Sequence, residues 1–175
     1  LFVAPRDIPA PDSKDFFNEM REKIWETVTA SRGNAFVLFT SFAMLNMCYN
    51  QLQQRFADKG YTVFKQGEAQ RQNLIARFRE TERSILFGTN SFWEGVDVAG
   101  DALRCVVIVK LPFQVPTEPI IQARTEAILR RGGNPFFEYT VPTAIVKFKQ
   151  GVGRLIRNKK DRGCIVCLDS RVLTK

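Results

Sequence analysis

Histidine is absent from this chain of 175 residues. Without an imidazole the chain cannot form a Ser-His-Asp triad, a Cys-His nucleophile pair or a zinc site that uses histidine. The hydrolases and metalloproteins that depend on these groups are therefore excluded.

Cysteine is scarce, with four residues at positions 48, 105, 164 and 167. Cys164 and Cys167 form a C-x-x-C, a spacing that also occurs in metal and redox sites. They lie in the apolar run GCIVCLD, which predicts a strand, and residues three apart on a strand point to opposite faces. We therefore interpret the cysteines as core residues in a reducing compartment and expect no metal site.

Segments that would address the chain to a membrane are also missing. No apolar run reaches the roughly 18 residues needed to span a bilayer. The first residues, LFVAPRDIPAPDS, lack the charged region followed by an apolar core that marks a signal peptide. We expect a cytoplasmic protein without a membrane partner.

The sequence lacks a cradle for the phosphates of a nucleotide. It contains no G-x-x-x-x-G-K-[ST], and no Asp-Glu pair follows a predicted strand to hold Mg²⁺. The chain can therefore supply arginines to a phosphate, but it cannot hold the phosphate tail of ATP by itself.

The charge balance favours a polyanionic partner. The 26 lysines and arginines exceed the 18 acidic residues by eight, which suits nucleic acid or nucleotides. The length predicts a single domain, residues 1–175, with a proline-rich extended lead-in at 1–13. Because the chain starts without Met and stops soon after a predicted strand, we expect it to be a piece of a longer protein.

Apolar strands alternate with amphipathic helices along the chain. Strands are predicted at 35–39, 61–65, 84–88, 103–111 and 164–168, and helices at about 68–80, 117–131 and 141–157. Asp12 or Ser13 is predicted to cap an earlier helix that runs to about Ser31, with an apolar face of Phe17, Met20, Ile24 and Val28. Another helix after the 35–39 strand carries Leu45, Cys48, Leu52 and Phe56 on one face and ends at Gly60. The strands carry continuous rather than alternating hydrophobicity, which is typical of a parallel sheet covered on both faces. The predicted fold is a three-layer α/β domain with a mostly parallel central sheet, whose ligands bind where strands end.

The last predicted helix separates into two sides. Its apolar stripe comprises Val141, Ile145, Phe148, Val152, Leu155 and Ile156, whereas Gln150, Arg154 and Arg157 lie opposite. An ordinary solvated basic face is enough to explain the charged residues. It does not account for Gly151 and Gly153, each of which costs a helix about 1 kcal/mol relative to Ala. We interpret the polar side as a fork for a phosphate that approaches closely.

Two loops follow buried strands and carry hydroxyl groups. After SILFG comes GTNSFWEGVDVAGD (88–101), in which Thr89 and Ser91 can donate to phosphate and Asp97 can accept from a sugar hydroxyl. After AFVLF come Thr40 and Ser41 at a helix N-terminus. For Thr40 and Ser41, plain N-capping and contact with a nucleic-acid phosphate explain the residues equally well. For residues 88–101, the alternative to a functional loop is a long connection with ordinary turn chemistry.

Three segments in this order resemble helicase motifs IV, V and VI of superfamily 2. They are AFVLFTSFAML (35–45), ILFGTNSFWEGVDVAG (85–100) and QGVGRLIRNKKDRG (150–163). The motifs S-F-W-E-G-V-D and Q-G-x-G-R-L-I-R, with K-L-P-F (110–113) between them, resemble those of DinG-type helicases, which are related to the XPD group. The similarity extends over nearly the whole chain.

The resemblance implies the second RecA-like motor domain of an ATP-dependent DNA helicase with a role in DNA repair. By analogy Arg154 and Arg157, with Gln150 beside them, act on ATP and Mg²⁺ held mainly by the absent N-terminal motor domain. Glu94, Gly95 and Asp97 would lie on the nucleotide side, and Thr40, Ser41, Thr89 and Ser91 would touch single-stranded DNA. The resemblance also implies 5′→3′ translocation and, in many members, an iron–sulfur cluster in the first half.

These residues encode neither the polarity nor the cluster. A basic α/β module that binds nucleic acid without catalysis, or a degenerate motor, is the alternative that the sequence leaves open. On either interpretation this chain alone is expected to hydrolyse no ATP, because the P-loop is absent.

Overall fold

The computed structural model describes residues 1–89, 92, 98, 102–114, 116–153, 155 and 162–173. Its centre is a six-stranded sheet in the order β1-β6-β5-β2-β4-β3, and every strand pair is parallel. The strands are β1 (Phe2–Val3), β2 (Ala35–Phe39), β3 (Thr62–Lys65), β4 (Ser84–Thr89), β5 (Cys105–Ile108) and β6 (Cys164–Cys167). The predicted parallel sheet is confirmed.

Helices cover both faces of this sheet. They are α1 (Phe16–Ala30), α2 (Phe42–Ala57), α3 (Arg71–Glu80), α4 (Pro119–Arg130) and α5 (Val141–Val152). One core cluster joins α1 and α2 to the first face, and a second joins α3 and the end of α5 to the other. The three-layer arrangement is therefore confirmed. Among the described residues, no helix has both the length and the apolar character needed to cross a membrane.

Helix α2 shows how closely local pattern and packing agree. Its buried residues are Leu45, Cys48, Leu52 and Phe56, which are the four residues predicted to form its apolar face. The chain then turns at Gly60, whose φ of +75° is a conformation that glycine adopts without a steric penalty.

Other boundaries were predicted less well. Helix α1 begins at Phe16 rather than near residue 13, and Phe16 is buried where Phe17 had been expected. Asp15 holds its N-cap position, although Asp12 or Ser13 was predicted; Ser13 Oγ instead accepts a hydrogen bond from the Asp15 N–H at 3.3 Å. Helix α3 begins three residues later than predicted, and a π-helical turn at Phe136–Thr140 was not foreseen.

The lead-in also belongs to the sheet. Phe2 and Val3 pair with Ile165 and Val166 of β6, so this extended segment contributes an edge strand. The C-x-x-C thiols lie on opposite faces, as strand geometry predicts. Cys164 packs against the cluster under α1 and α2, and Cys167 belongs to the other cluster.

The strand order creates a switch point between β2 and β5. These strands are neighbours, yet α2 follows β2 onto one face while α5, farther along the chain from β5, packs on the other. The connections that leave the carboxyl ends of β2 and β5 therefore diverge to opposite faces of the sheet. Open α/β sheets bind their ligands at such a point.

Candidate functional site at the carboxyl edge of the sheet

Thr40 and Ser41 lie at this switch point because they directly follow β2. Ser41 is the N-cap of α2, and its hydroxyl oxygen accepts a hydrogen bond from the Met44 N–H at 3.3 Å. This bond confirms the capping role that was one of two interpretations of the residue. The Ser41 side chain is exposed, and its hydroxyl can donate outward while its oxygen caps the helix. The positive end of the helix adds attraction for an anion.

Thr89 ends β4 and pairs in register with Phe39 of β2, so the two hydroxyl-bearing segments lie side by side. Thr89 is buried, and its Oγ1 donates to the Gln66 side-chain oxygen at 3.0 Å. The Thr89 N–H donates to the same oxygen at 2.6 Å. In this structure the Thr89 hydroxyl therefore hydrogen-bonds within the protein. To contact a phosphate, it would have to give up its hydrogen bond to Gln66.

Gln66 was not singled out from the sequence. It immediately follows β3, and its own N–H donates to Phe87 O at 2.9 Å, which continues the β3–β4 pairing by one residue. The signal that could have identified it is its position, since it is a polar residue directly after a strand at the edge where ligands bind.

Lys110 and Asp169 were also missed, and both follow strands at this edge. Lys110 comes after β5; its Nζ donates to Pro11 O at 2.9 Å and lies 5.0 Å from the centre of the Phe16 ring. Partial burial lowers the pKa of Lys110, the nearby Arg171 adds to this effect, and Asp169 and Asp12 oppose it. The lysine anchors the lead-in beneath the edge and contributes positive charge to it.

Asp169 is fully buried after β6. Its carboxylate accepts hydrogen bonds from the Leu111 N–H at 2.8 Å and from the Arg171 N–H at 3.1 Å. The Arg171 guanidinium adds two more bonds, at 2.9 Å and 2.7 Å. Burial opposes ionisation, but the hydrogen bonds outweigh it and lower the pKa of Asp169. Asp169 thereby ties together the segments that leave β5 and β6.

Helix α5 brings Gln150 to the surface, as its polar side predicts. The apolar stripe was assigned partly wrongly, because Ile145 is 47% exposed and the buried residues of α5 are Ala144 and Gly151. Gly151 is buried, and the interpretation that a phosphate approaches this glycine stays a prediction. At Gly153 the helix has ended, and an added Cβ would lie 3.2 Å from Lys149 O.

Several predicted residues lie outside the described residues. They are Arg154 and Arg157 of the arginine pair, Glu94, Gly95 and Asp97 of the nucleotide side, and Ser91 of the nucleic-acid side. Their roles stay predictions. Of the predicted set, the structure brings Thr40, Ser41 and Thr89 to one edge. In the described part of the chain, no cluster of three or more acidic or cysteine residues could hold a metal ion.

The all-parallel six-stranded sheet with helices on both faces matches a RecA-like α/β domain. An XPD helicase structure aligns with a TM-score of 0.76 over 99% of this chain and 32% of that chain, at 18% identity. Domain 2 of the DEAD-box helicase Mss116p, bound to an RNA duplex, aligns with a TM-score of 0.56 over 98% of this chain and 54% of that one, at 16% identity. At these identities the likeness shows the fold.

The family model described as helicase C-terminal domain matches residues 24–175. The chain belongs to this helicase C-terminal domain family.

Curated relatives agree with the family. The ATP-dependent DNA helicase YoaA of Haemophilus influenzae is 39% identical over 176 residues, which is 100% of this chain and 27% of the relative. The ATP-dependent helicase DinG of Mycobacterium tuberculosis is 36% identical over 99% of this chain and 26% of the relative. A Bacillus subtilis protein named 3′-5′ exonuclease DinG is 41% identical over 79% of this chain and 15% of its own length. The chain thus spans about a quarter or less of these relatives.

Proposed function

We propose that this chain is the C-terminal motor half of an ATP-dependent DNA helicase. The observation that carries the proposal is the carboxyl edge, where Thr40, Ser41 and the α2 N-terminus lie beside the end of β4 within a family-matched helicase domain. Hydroxyl groups and helix amides contact phosphates without reading bases. This edge therefore forms part of a track for single-stranded DNA.

The second element of the proposal is an arginine finger. Gln150 is exposed near the end of α5, and Arg154 and Arg157 follow it. We assign these arginines to the γ-phosphate of an ATP held with Mg²⁺ by the N-terminal RecA-like motor domain. Glu94, Gly95 and Asp97 are assigned to the nucleotide side of the cleft. An arginine finger neutralises charge that develops in the transition state and raises kcat by about 10³–10⁵ in other NTPases.

These two elements together give a mechanism for movement. The arginines reach across the cleft only when the two halves close on ATP, so hydrolysis and release reopen it. Opening shifts the strand contacts of one half relative to the other. Repeated cycles would move the protein along the strand, and the family resemblance favours the 5′→3′ direction. An iron–sulfur cluster, where present, would belong to the N-terminal half.

The finger assignment is tested in the full-length protein by Arg157→Ala. We expect the loss of DNA-stimulated ATP hydrolysis with little change in single-strand affinity, measured by phosphate release and by fluorescence anisotropy. Arg130→Ala, which removes an exposed arginine of α4, is the matched control and should retain turnover. Near-normal ATP hydrolysis by the Arg157 variant would refute the assignment.

The alternative is a basic module that binds nucleic acid without catalysis, or a degenerate motor. The net charge of +8 favours nucleic-acid binding in either case. A G-x-x-x-x-G-K-[ST] and an Asp-Glu pair upstream in the same reading frame would favour the motor. Their absence there would favour the binding module.

A further inference from the structure

The amino ends of the strands, opposite the proposed motor edge, surround a second polar site. A cavity of about 760 Å³ opens there between the residues that precede β2, β4 and β5. Among the described residues of its lining are four arginines and two glutamates, which together carry a net charge of +2; these are Arg32, Arg79, Arg83, Arg104, Glu80 and Glu82. We call this site the amino-edge cavity.

The backbone around the amino-edge cavity is unusual. Within the described part of the chain, the non-glycine residues with positive φ are Arg32 at 62°, Asn34 at 50° and Arg83 at 55°, and all three line this cavity. Gly33 between them has a φ of 82°. Left-handed backbone costs a non-glycine residue about 1–2 kcal/mol, and such strain concentrates at functional sites.

Asn34 fixes two of the arginine-bearing segments relative to one another. Its side-chain oxygen accepts a hydrogen bond from the Arg83 N–H at 3.1 Å. Its backbone oxygen accepts from the Arg104 N–H at 2.8 Å. The Arg83 guanidinium lies 4.2 Å from the centre of the ring of Tyr61, a residue outside the described lining, and this contact fixes the position of the arginine side chain. The backbones at Arg83 and Arg104, and the guanidinium of Arg83, are therefore held in fixed positions.

The lining indicates what kind of ligand fits. Arginine forks recognise phosphate through paired hydrogen bonds. The described lining residues include no aromatic side chain on which a base could stack, and Ala102 is their one apolar residue. A peptide would need apolar pockets or partners for its backbone. Successive phosphates of a nucleic-acid strand need only spaced cations, and arginines on separate segments supply them.

We propose that the amino-edge cavity binds the phosphate backbone of nucleic acid at a second contact, separate from the carboxyl edge. Binding there is independent of base sequence and depends strongly on salt. The site would hold a segment of nucleic acid outside the motor cleft, and it functions whether or not the chain works as half of a motor.

The test uses the 175-residue chain with Arg32 and Arg83 both replaced by glycine. Glycine accepts positive φ without penalty, so the double variant removes two cations and relieves the local strain. Thermal melting should occur at the same or a higher temperature. Fluorescence anisotropy with a labelled single strand of mixed sequence should show affinity reduced about tenfold at low salt. The slope of log K against log salt should become shallower by about 1.4, since each lost phosphate contact contributes about 0.7.

A matched control removes two arginines from α4, Arg124→Ala with Arg130→Ala, and should keep the original slope. An unchanged affinity and slope in the Arg32/Arg83 variant would overturn the proposal, and so would an equal loss in the control. A binding experiment with an oligoglutamate peptide tests whether the site instead takes an acidic protein. If the double variant loses binding to this peptide while its binding to the strand is retained, the site is one for an acidic protein partner and the proposal fails.

Discussion

The carboxylate of Asp169 accepts a hydrogen bond from the backbone N–H of Leu111 at 2.8 Å, across a separation of 58 residues. This contact joins the chain leaving β6 to the chain leaving β5 at the edge proposed to carry DNA. Arg171 completes the arrangement with a paired contact to the same carboxylate. The edge is therefore held by a buried charge, and disturbing that charge should change both stability and the shape of the edge.

Replacing Asp169 with alanine should lower the free energy of unfolding by about 2–3 kcal/mol. The variant leaves the Leu111 N–H without a hydrogen-bond acceptor, which costs about 1–3 kcal/mol. It also releases Arg171, whose half-exposed side chain limits the further loss. Urea unfolding followed by circular dichroism measures the change. Asp7→Ala provides the control, because the Asp7–Lys23 pair is exposed and exposed ion pairs contribute little to stability.

Asp169 should also make stability depend on acid. Its pKa is lowered in the folded state, below the unfolded value of about 3.9. Its contribution is therefore complete above about pH 4 and is lost as pH falls through the folded pKa. Unfolding free energies measured between pH 6 and 2.5 should fall less steeply for Asp169→Asn than for the unchanged chain. Parallel curves would show that other carboxylates cause the acid sensitivity.

Cys164 should be the most reactive thiol described. Cys105 and Cys164 pair in register on neighbouring strands. A hydrogen bond from the Cys105 thiol lowers the pKa of Cys164 below its ordinary value. Burial raises the pKa of Cys48 to about 12 and that of Cys167 to about 11. Peptide mass mapping after brief iodoacetamide treatment at pH 7.5 should find Cys164 modified first.

The cause of this reactivity can be separated from exposure alone. Cys105→Ala removes the donor and should move the pH–rate profile of Cys164 to higher pH. Cys105→Ser keeps a hydroxyl donor and should preserve most of the shift. If both variants leave the profile unchanged, the neighbouring thiol is not responsible.

The comparison of pattern with structure separates what local sequence determines from what only packing determines. Each buried residue of α2 was predicted correctly, because this helix packs one face against the sheet. In such a helix the 3.6-residue spacing of apolar side chains is enough to predict which residues are buried. The exposure of Ile145 was not predicted, since it depends on how α5 sits beside the π-helical turn at Phe136–Thr140. The hydrogen bonds from Thr89 to Gln66 join two strands through a residue that carries no motif. Such contacts follow from the strand order and could not be read from spacing.

Gly33 and Gly67 allow the close packing beside the amino-edge cavity to be tested. Both have positive φ, at 82° and 98°. A Cβ at Gly33 would lie 2.8 Å from Arg83 Cα, whereas a Cβ at Gly67 would meet nothing within 4 Å. Gly67→Ala should therefore cost about 1–2 kcal/mol from backbone strain alone. Gly33→Ala should cost more, about 3 kcal/mol or above, because backbone atoms must also move. Equal losses in urea unfolding would contradict the close packing of Gly33 against Arg83.

Ser41 allows stability and strand binding to be separated at the carboxyl edge. Aspartate is as good an N-cap as serine, so Ser41→Asp should leave the unfolding free energy unchanged or slightly higher. A carboxylate at that position repels phosphate, and single-strand affinity measured by anisotropy should fall about equally for all base sequences. Ser41→Asn keeps the cap without the charge and should bind nearly as the unchanged chain does. If Ser41→Asp binds DNA normally, the strand does not pass the α2 N-terminus. If its loss depends on base sequence, the edge reads bases and the backbone-track assignment is wrong.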